Sequence, residues 1–212
     1  MGLENNAAMA TFVNIKEGKL VIKKNDVIST FDSISGVITA VKFKEDEYDG
    51  MKYEKIEITI TDGDDNFILS MRTDSGYFRG LSNSLRTGDP SAHVRISPSY
   101  KKEEGALPKT TCFVHQRGSG ALKFYSTQAD QKDLPALKKF VVKGKDVYDS
   151  TEQIEYWKAW WNSIQFISPF LAQAEAKEEN EINDHLPQQS HSEAGSYVNQ
   201  AEPLEPLDDL PF

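Results

Sequence analysis

Cationic and aromatic side chains follow one another along the middle of the chain, and they are the residues with the clearest chemical use. Cations can follow a phosphate backbone and aromatic rings can stack on bases, at roughly 1–3 kcal/mol per stacked base, without reading a sequence. This mixture predicts a surface for single-stranded nucleic acid, although any one lysine can instead be a solvated surface residue. The strongest candidates are Tyr53, Arg72 and Tyr100. The full set is Lys42, Lys44, Lys52, Tyr53, Lys55, Arg72, Tyr77, Arg79, Arg95, Tyr100, Lys101, Lys102, Lys109, Arg117, Lys123 and Tyr125.

No pattern of catalytic or metal-binding residues accompanies these cations. The four histidines are scattered along the chain, and they have no cluster of thiols or carboxylates at metal-ligand spacing beside them. The acidic turn at residues 62–66 lacks the length and the closing glutamate of a calcium loop. The glycines at 118 and 120 lack the strand and helix that flank a phosphate-binding loop. We therefore expect no catalytic residues, no metal and no cofactor, and an enzyme such as a nuclease is the least supported alternative.

The charge of the chain is strongly segregated. There are 24 Lys and Arg against 33 Asp and Glu, for a net charge of −9. Residues 171–212 contain ten acidic residues and one lysine, so this segment holds the whole net charge and the first 170 residues are neutral. An acidic balance usually argues against binding nucleic acid, so a binding face on the neutral part must be local. Its affinity should then depend on salt.

The compartment follows from what the sequence lacks. A single cysteine, Cys112, excludes an internal disulfide and any cysteine-based metal cluster. No apolar run resembles a signal peptide or a membrane span. We expect a cytoplasmic protein, in the bacterial cytoplasm or nucleoid or in an infected host cell.

Period-two and helical patterns predict a mainly β domain over residues 11–170, after a disordered stretch at 1–10. Strands are expected at 12–22 (a hairpin), 31–44, 51–61, 67–72, 92–101, 110–116 and 121–127, with a helix at 75–86. Three strands, a helix and two strands follow the hairpin. This is the order of the oligonucleotide/oligosaccharide-binding (OB) fold, a five-stranded Greek-key barrel that closes on itself. Other five-stranded barrels remain possible.

A second helix is expected from Ser150 to about Ser168, and it contains all three tryptophans, Trp157, Trp160 and Trp161. Two of its faces are apolar, so it must pack on the barrel, on another subunit, or on both. Core or homo-oligomer packing is favoured over stacking on bases. Residues 171–212 are rich in Gln, Glu, Asn, Ser and Pro without periodicity, which predicts a disordered acidic tail.

The end of that tail has the features of a protein-docking element. It consists of Asp208, Asp209, Leu210, Pro211 and Phe212. Proline holds the approach extended, and the terminal aromatic residue has no core of its own to join. A partner would need an apolar pocket for the ring and an Arg or Lys beside it for the carboxylates. A disordered tail can also end in an aromatic residue by chance.

The strand order, the acidic tail and this tip resemble the single-stranded DNA-binding proteins (SSB) of bacteria and their phages. The family's tip is Asp-Asp-Asp-Ile/Leu-Pro-Phe, and Leu207 stands here in place of the first Asp. The N-terminal hairpin, a lysine-rich segment after the barrel and the tryptophan-rich helix depart from the bacterial form and suggest a divergent, phage-like version.

The resemblance implies that the barrel coats single-stranded DNA during replication, recombination or repair, and that the tip recruits proteins of those processes. It also implies that an unoccupied tail can fold back on its own basic groove. The alternative is an adaptor that docks on the replication machinery through the same tip and binds no DNA.

Overall fold

The computed structural model describes residues 10–104, 108–127, 129–142 and 145–166, so the acidic tail and its tip lie outside the described residues. The elements are β1 (Thr11–Lys16), β2 (Lys19–Lys24), β3 (Val27–Phe31), β4 (Ile34–Tyr48), β5 (Met51–Asp62), β6 (Asp65–Arg72), α1 (Gly76–Leu85), β7 (His93–Lys101), β8 (Lys109–Gln116), β9 (Gly120–Ala121), β10 (Lys138–Val142), β11 (Lys145–Asp149) and α2 (Thr151–Ser163). Neither described helix is long and apolar enough to cross a membrane. The expectation of a mainly β fold is confirmed.

One large sheet contains β1 to β9 in the order β3-β2-β1-β6-β5-β4-β7-β8-β9. Every neighbouring pair is antiparallel except β1 and β6, which are parallel. The predicted closure into a barrel is wrong for the described chain, where the sheet stays open. The N-terminal strand β1 pairs with the outer edge of β6, so this edge is not available to a strand that would close the barrel.

The central strands bury one side and expose the other, as the alternation of their apolar residues predicts. Ile56, Ile58 and Ile60 of β5 are fully buried on one side of the sheet, and Leu69 of β6 is buried with them. The intervening residues of β5 therefore point to the opposite side. In β4 the register shifts between Ile38 and Ala40, which bends the strand.

The helix α1 lies backbone to backbone against β8. Ser75 caps its first turn, since the Ser75 hydroxyl accepts a hydrogen bond of 3.2 Å from the Phe78 amide. Gly76 and Gly80 lie four residues apart on the side that faces β8. A Cβ atom on Gly80 would fall 2.7 Å from the backbone nitrogen of Cys112. Glycine at this position is what allows the helix to approach the strand so closely.

The tryptophan-rich helix α2 completes the core. Trp157 and Trp161 are each 1% exposed, and the Trp161 indole N–H donates to the Ser82 hydroxyl at 2.9 Å. Packing in the core of the same chain, one of the uses predicted for this helix, is therefore confirmed for these two residues. The helix ends at Ser163, five residues before the expected end, because Ile164 is already extended.

Three stretches differ from the sequence prediction. The hairpin gains a third strand, β3, because Asn25 and Asp26 adopt positive φ and form a tight turn that leads from β2 into β3. The strand expected at 121–127 stops at Ala121. Beyond Ala121, the Asn83 side chain holds the backbone of Ser126: it donates to the Ser126 carbonyl at 2.7 Å and accepts from the Ser126 amide at 2.8 Å. The lysine-rich segment forms the separate hairpin of β10 and β11.

Candidate nucleic-acid interface

Five of the predicted residues come together on the outer side of β4, β5 and β6. Lys44 pairs across the ladder with Lys55, and Lys55 pairs on its other side with Arg72. Residues directly opposite in antiparallel strands point to the same side, and so do residues two apart in one strand. Lys42 and Tyr53 therefore share this side. We name Lys42, Lys44, Tyr53, Lys55 and Arg72 the basic face.

Carboxylates neutralise much of the basic face. Glu57 lies between two lysines and is only 7% exposed. Its oxygens are 2.6 Å from the Lys44 ammonium and 3.5 Å from that of Lys55. Lys55 also donates to Asp46 at 2.8 Å, and this hydrogen bond raises the pKa of Lys55 and lowers that of Asp46. Phosphates must therefore compete with carboxylates here.

Arg72 is oriented by two contacts at the edge of this face. Its Nε and Nη2 atoms donate to the two oxygens of Asp74 at 2.9 and 2.6 Å, and this pairing raises the pKa of the guanidinium. The guanidinium carbon also lies 5.0 Å from the centre of the Tyr53 ring, which is cation–π geometry. Tyr53 and Arg72 thus form one unit, with the guanidinium held in place.

Two predicted stacking residues contact the N-terminal hairpin instead. The Tyr77 hydroxyl accepts a hydrogen bond of 2.9 Å from the Gly18 amide, and partial burial raises the pKa of Tyr77. The same turn packs against Tyr100, because a Cβ atom on Gly18 would lie 2.8 Å from the Tyr100 nitrogen. Both tyrosines are half-buried and contact the turn between β1 and β2.

Tyr125 is also engaged within the structure. Its hydroxyl and that of Tyr156 donate to the same Asp133 oxygen at 2.7 and 2.9 Å, and these bonds lower the pKa of Asp133. The Arg86 guanidinium lies 5.4 Å from the Tyr125 ring centre and 5.8 Å from that of Trp160. These contacts join the end of α1 to α2, so Tyr125 has a structural role.

The remaining predicted cations do not join the basic face. Lys101 and Lys109 share Glu103, at 3.1 and 3.6 Å. Lys52 neighbours Tyr53 in the strand and therefore points away from the basic face. The predicted residues outside both the basic face and the three tyrosine contacts are Lys52, Arg79, Arg95, Lys101, Lys102, Lys109, Arg117 and Lys123.

A second surface, on β8 and its neighbours, contains residues that the sequence prediction missed. Phe113 is 46% exposed and Phe124 is 36% exposed, and their rings stack with centres 6.1 Å apart at 29°. Arg95 is a diagonal neighbour of Phe113, because the ladder pairs Ser97 with Phe113. Arg79 lines the same shallow depression as Phe124. We name Arg79, Arg95, Phe113 and Phe124 the β8 face.

One signal in the sequence could have identified Phe113. It lies between Cys112 and Val114, both fully buried, so the alternation of a strand turns its ring outward. Phe124 had no such signal, because the strand expected around it does not form.

Comparisons with known proteins add no family to these observations. Neither the protein-family models, nor the curated proteins, nor the solved structures give a match to the chain. In the described part of the chain, no group of three or more His, Cys, Asp or Glu side chains is arranged to hold a metal ion. The functional argument therefore depends on the two faces themselves.

Proposed function

We propose that the protein binds single-stranded DNA without sequence preference and protects it during replication, recombination or repair. The observation that carries this proposal is the convergence of four cations around Tyr53 on three adjacent strands. A phosphate chain can follow such a row of cations while a base stacks on the aromatic ring. The cation–π contact keeps the Arg72 guanidinium at the ring, where a neighbouring phosphate would lie.

We also propose that the central strands are an open variant of the OB fold. The elements β4, β5, β6, α1, β7 and β8 follow its chain order, and the pairing order β6-β5-β4-β7-β8 supports this assignment. In this variant, β1 occupies the edge of β6 at which a closed barrel would pair its third and fifth strands.

We infer a separate role for the acidic tip. Asp208, Asp209, Leu210, Pro211 and Phe212 recruit replication, recombination or repair proteins through an apolar pocket flanked by cations. The neutral charge of residues 1–170 supports this division, because the binding face and the polyanionic tail are then distinct parts of one chain.

A salt-titrated binding curve with oligo-dT tests the DNA-binding proposal. The logarithm of the affinity should fall linearly with the logarithm of the salt concentration. The double variant Tyr53→Ala/Arg72→Ala should lose about 1–3 kcal/mol of binding free energy, the contribution of one stacked base. Tyr148→Ala/Lys24→Ala, which removes an exposed tyrosine of β11 and an exposed lysine of β2, is the matched control and should bind as the wild type does.

Two results would contradict the proposal. No measurable binding at low salt would exclude it, and a nuclease-resistant pull-down of replication proteins would then favour the adaptor. Equal affinities of the wild type and the Tyr53→Ala/Arg72→Ala variant would mean that the basic face is the wrong surface. A chain ending at Leu207 should bind oligo-dT equally or slightly more tightly, and a clear fall would count against the tail as a competitor for the site.

A further inference from the structure

Phe113 and Phe124, the exposed phenyl pair of the β8 face, are not needed to complete the hydrophobic core. The neighbouring Cys112 and Val114 are fully buried, so the core is complete without Phe113. The two rings contact each other, and part of each remains open to water. Exposed large apolar groups that lie together, rather than singly, mark interaction sites.

The charges around this pair indicate which ligand it suits. The sequences of α1, β7 and β8 contain no aspartate or glutamate. Arg79 and Arg95 form no ion pair within the described chain. Unpaired guanidinium groups beside an exposed aromatic platform are complementary to a phosphate chain carrying bases, since guanidinium pairs with phosphate through two hydrogen bonds.

A shallow depression beside Phe124 provides space for a ligand. It has a volume of about 290 Å³ and is lined by Arg79, Thr110, Thr111 and Phe124, among others. That volume is at the lower limit of ligand pockets, about 300 Å³, and suits a single nucleotide unit. The close approach of α1 to β8 is what places Arg79 at this depression.

We propose that the β8 face is a second nucleic-acid site, where one base stacks on the Phe113–Phe124 pair and the flanking phosphates bind Arg79 and Arg95. This inference rests on the proposed function and adds a second binding surface to it. The ligand is a single-stranded nucleic acid. Comparing the affinity for a DNA strand with that for an RNA strand shows which sugar the site prefers.

The test compares the full chain with Phe113→Leu/Phe124→Leu, which removes the rings but keeps the side chains apolar. Binding to oligo-dT and oligo-rU at fixed salt should weaken roughly tenfold to a hundredfold for whichever strand the wild type binds. Phe140→Leu, on the exposed hairpin of β10 and β11, is the matched control and should change affinity less than about twofold. In wild type, photo-cross-linking to iodouridine-containing oligonucleotides should label the peptide that contains Phe113 or Phe124.

A second variant keeps the proposal testable if the first one does not fold. Arg79→Ala/Arg95→Ala leaves the apolar residues intact and removes the two cations that would neutralise phosphates. It should therefore reduce the salt dependence of log K by about 1.4, or about 0.7 for each phosphate that is no longer neutralised.

Each failure has a separate meaning. If the wild type binds and both β8-face variants bind equally well, with cross-links confined to the peptide containing Tyr53, the second site is wrong and the proposed function stands. If the wild type binds neither oligonucleotide, the proposed function itself fails. If Phe113→Leu/Phe124→Leu dissociates an oligomer without changing affinity, this face is a protein interface and the inference is overturned.

Discussion

The basic face and the β8 face contain the same kinds of side chains but differ in what surrounds their cations. On the basic face, three of the four cations have a carboxylate partner within 3 Å. On the β8 face, both arginines are unpaired within the described chain, and the strands and helix that form it contain no acidic residue. A count of cations therefore overstates the electrostatic attraction of the first face relative to the second.

The difference has a structural cause. Opposite charges across neighbouring strands stabilise their pairing, and on the outer side of β4 and β5 the cross-strand pairs Lys44–Glu57 and Lys55–Asp46 do this. The contact between α1 and β8 needs no such pairs, because glycines allow backbone to pack on backbone. The cations of the basic face are therefore mainly engaged in ion pairs that stabilise the sheet, whereas the arginines of the β8 face remain available for a ligand.

The largest effect is expected where α1 contacts β8. Gly80→Ala should lower the free energy of unfolding by about 3 kcal/mol, because its Cβ atom would overlap the backbone of β8 and force the helix away. Urea unfolding measures the change, with Arg79→Ala in the same helix as a control expected to cost less than about 0.5 kcal/mol. A Gly80→Ala protein as stable as the wild type would mean that the helix does not need this close approach.

The second effect concerns the contribution of the basic-face lysines to stability. Lys44→Met/Lys55→Met removes both partners of the nearly buried Glu57 and should lower the free energy of unfolding, measured with urea, by about 2 kcal/mol. Adding Glu57→Met should restore most of the loss, since the nearly buried charge is then removed together with its partners and only the more exposed Asp46 loses a lysine. If the triple variant is no more stable than the double variant, the two lysines do not act through Glu57.

Much of the sheet could be predicted from the sequence, and the errors have identifiable causes. Alternating isoleucines in β5 identify a half-buried strand, and the serine cap of α1 marks its start. The third strand of the N-terminal hairpin was missed because Asn25 and Asp26 indicate a turn but not that a strand follows. The open edge was missed because a parallel pairing between β1 and β6 is a long-range contact without a local signature.

The site was predictable only in part, for a related reason. Residue types identified the basic face, because Lys55 and Arg72 belong to strands whose alternation is clear. They did not reveal that Tyr77 is bonded to the Gly18 turn, which lies far away in the sequence, or that Tyr125 is bonded to a carboxylate in an irregular segment. The position of Phe124 depends on Asn83, which holds the chain after β9 in a non-strand path.

The smallest expected effect probes the comparison most directly. Asp74→Asn removes the carboxylate that pairs with Arg72, and it should raise the affinity for oligo-dT by about twofold to fivefold at low salt. Asp130→Asn removes the same charge from another exposed ion pair, with Lys132 at 2.7 Å, and should change affinity by less than about twofold. Because screening weakens both effects, the difference between the variants should shrink as salt is added. Equal affinities at low salt would show that carboxylate pairing does not limit the basic face, and the contrast between the two faces would then have to come from their aromatic residues alone.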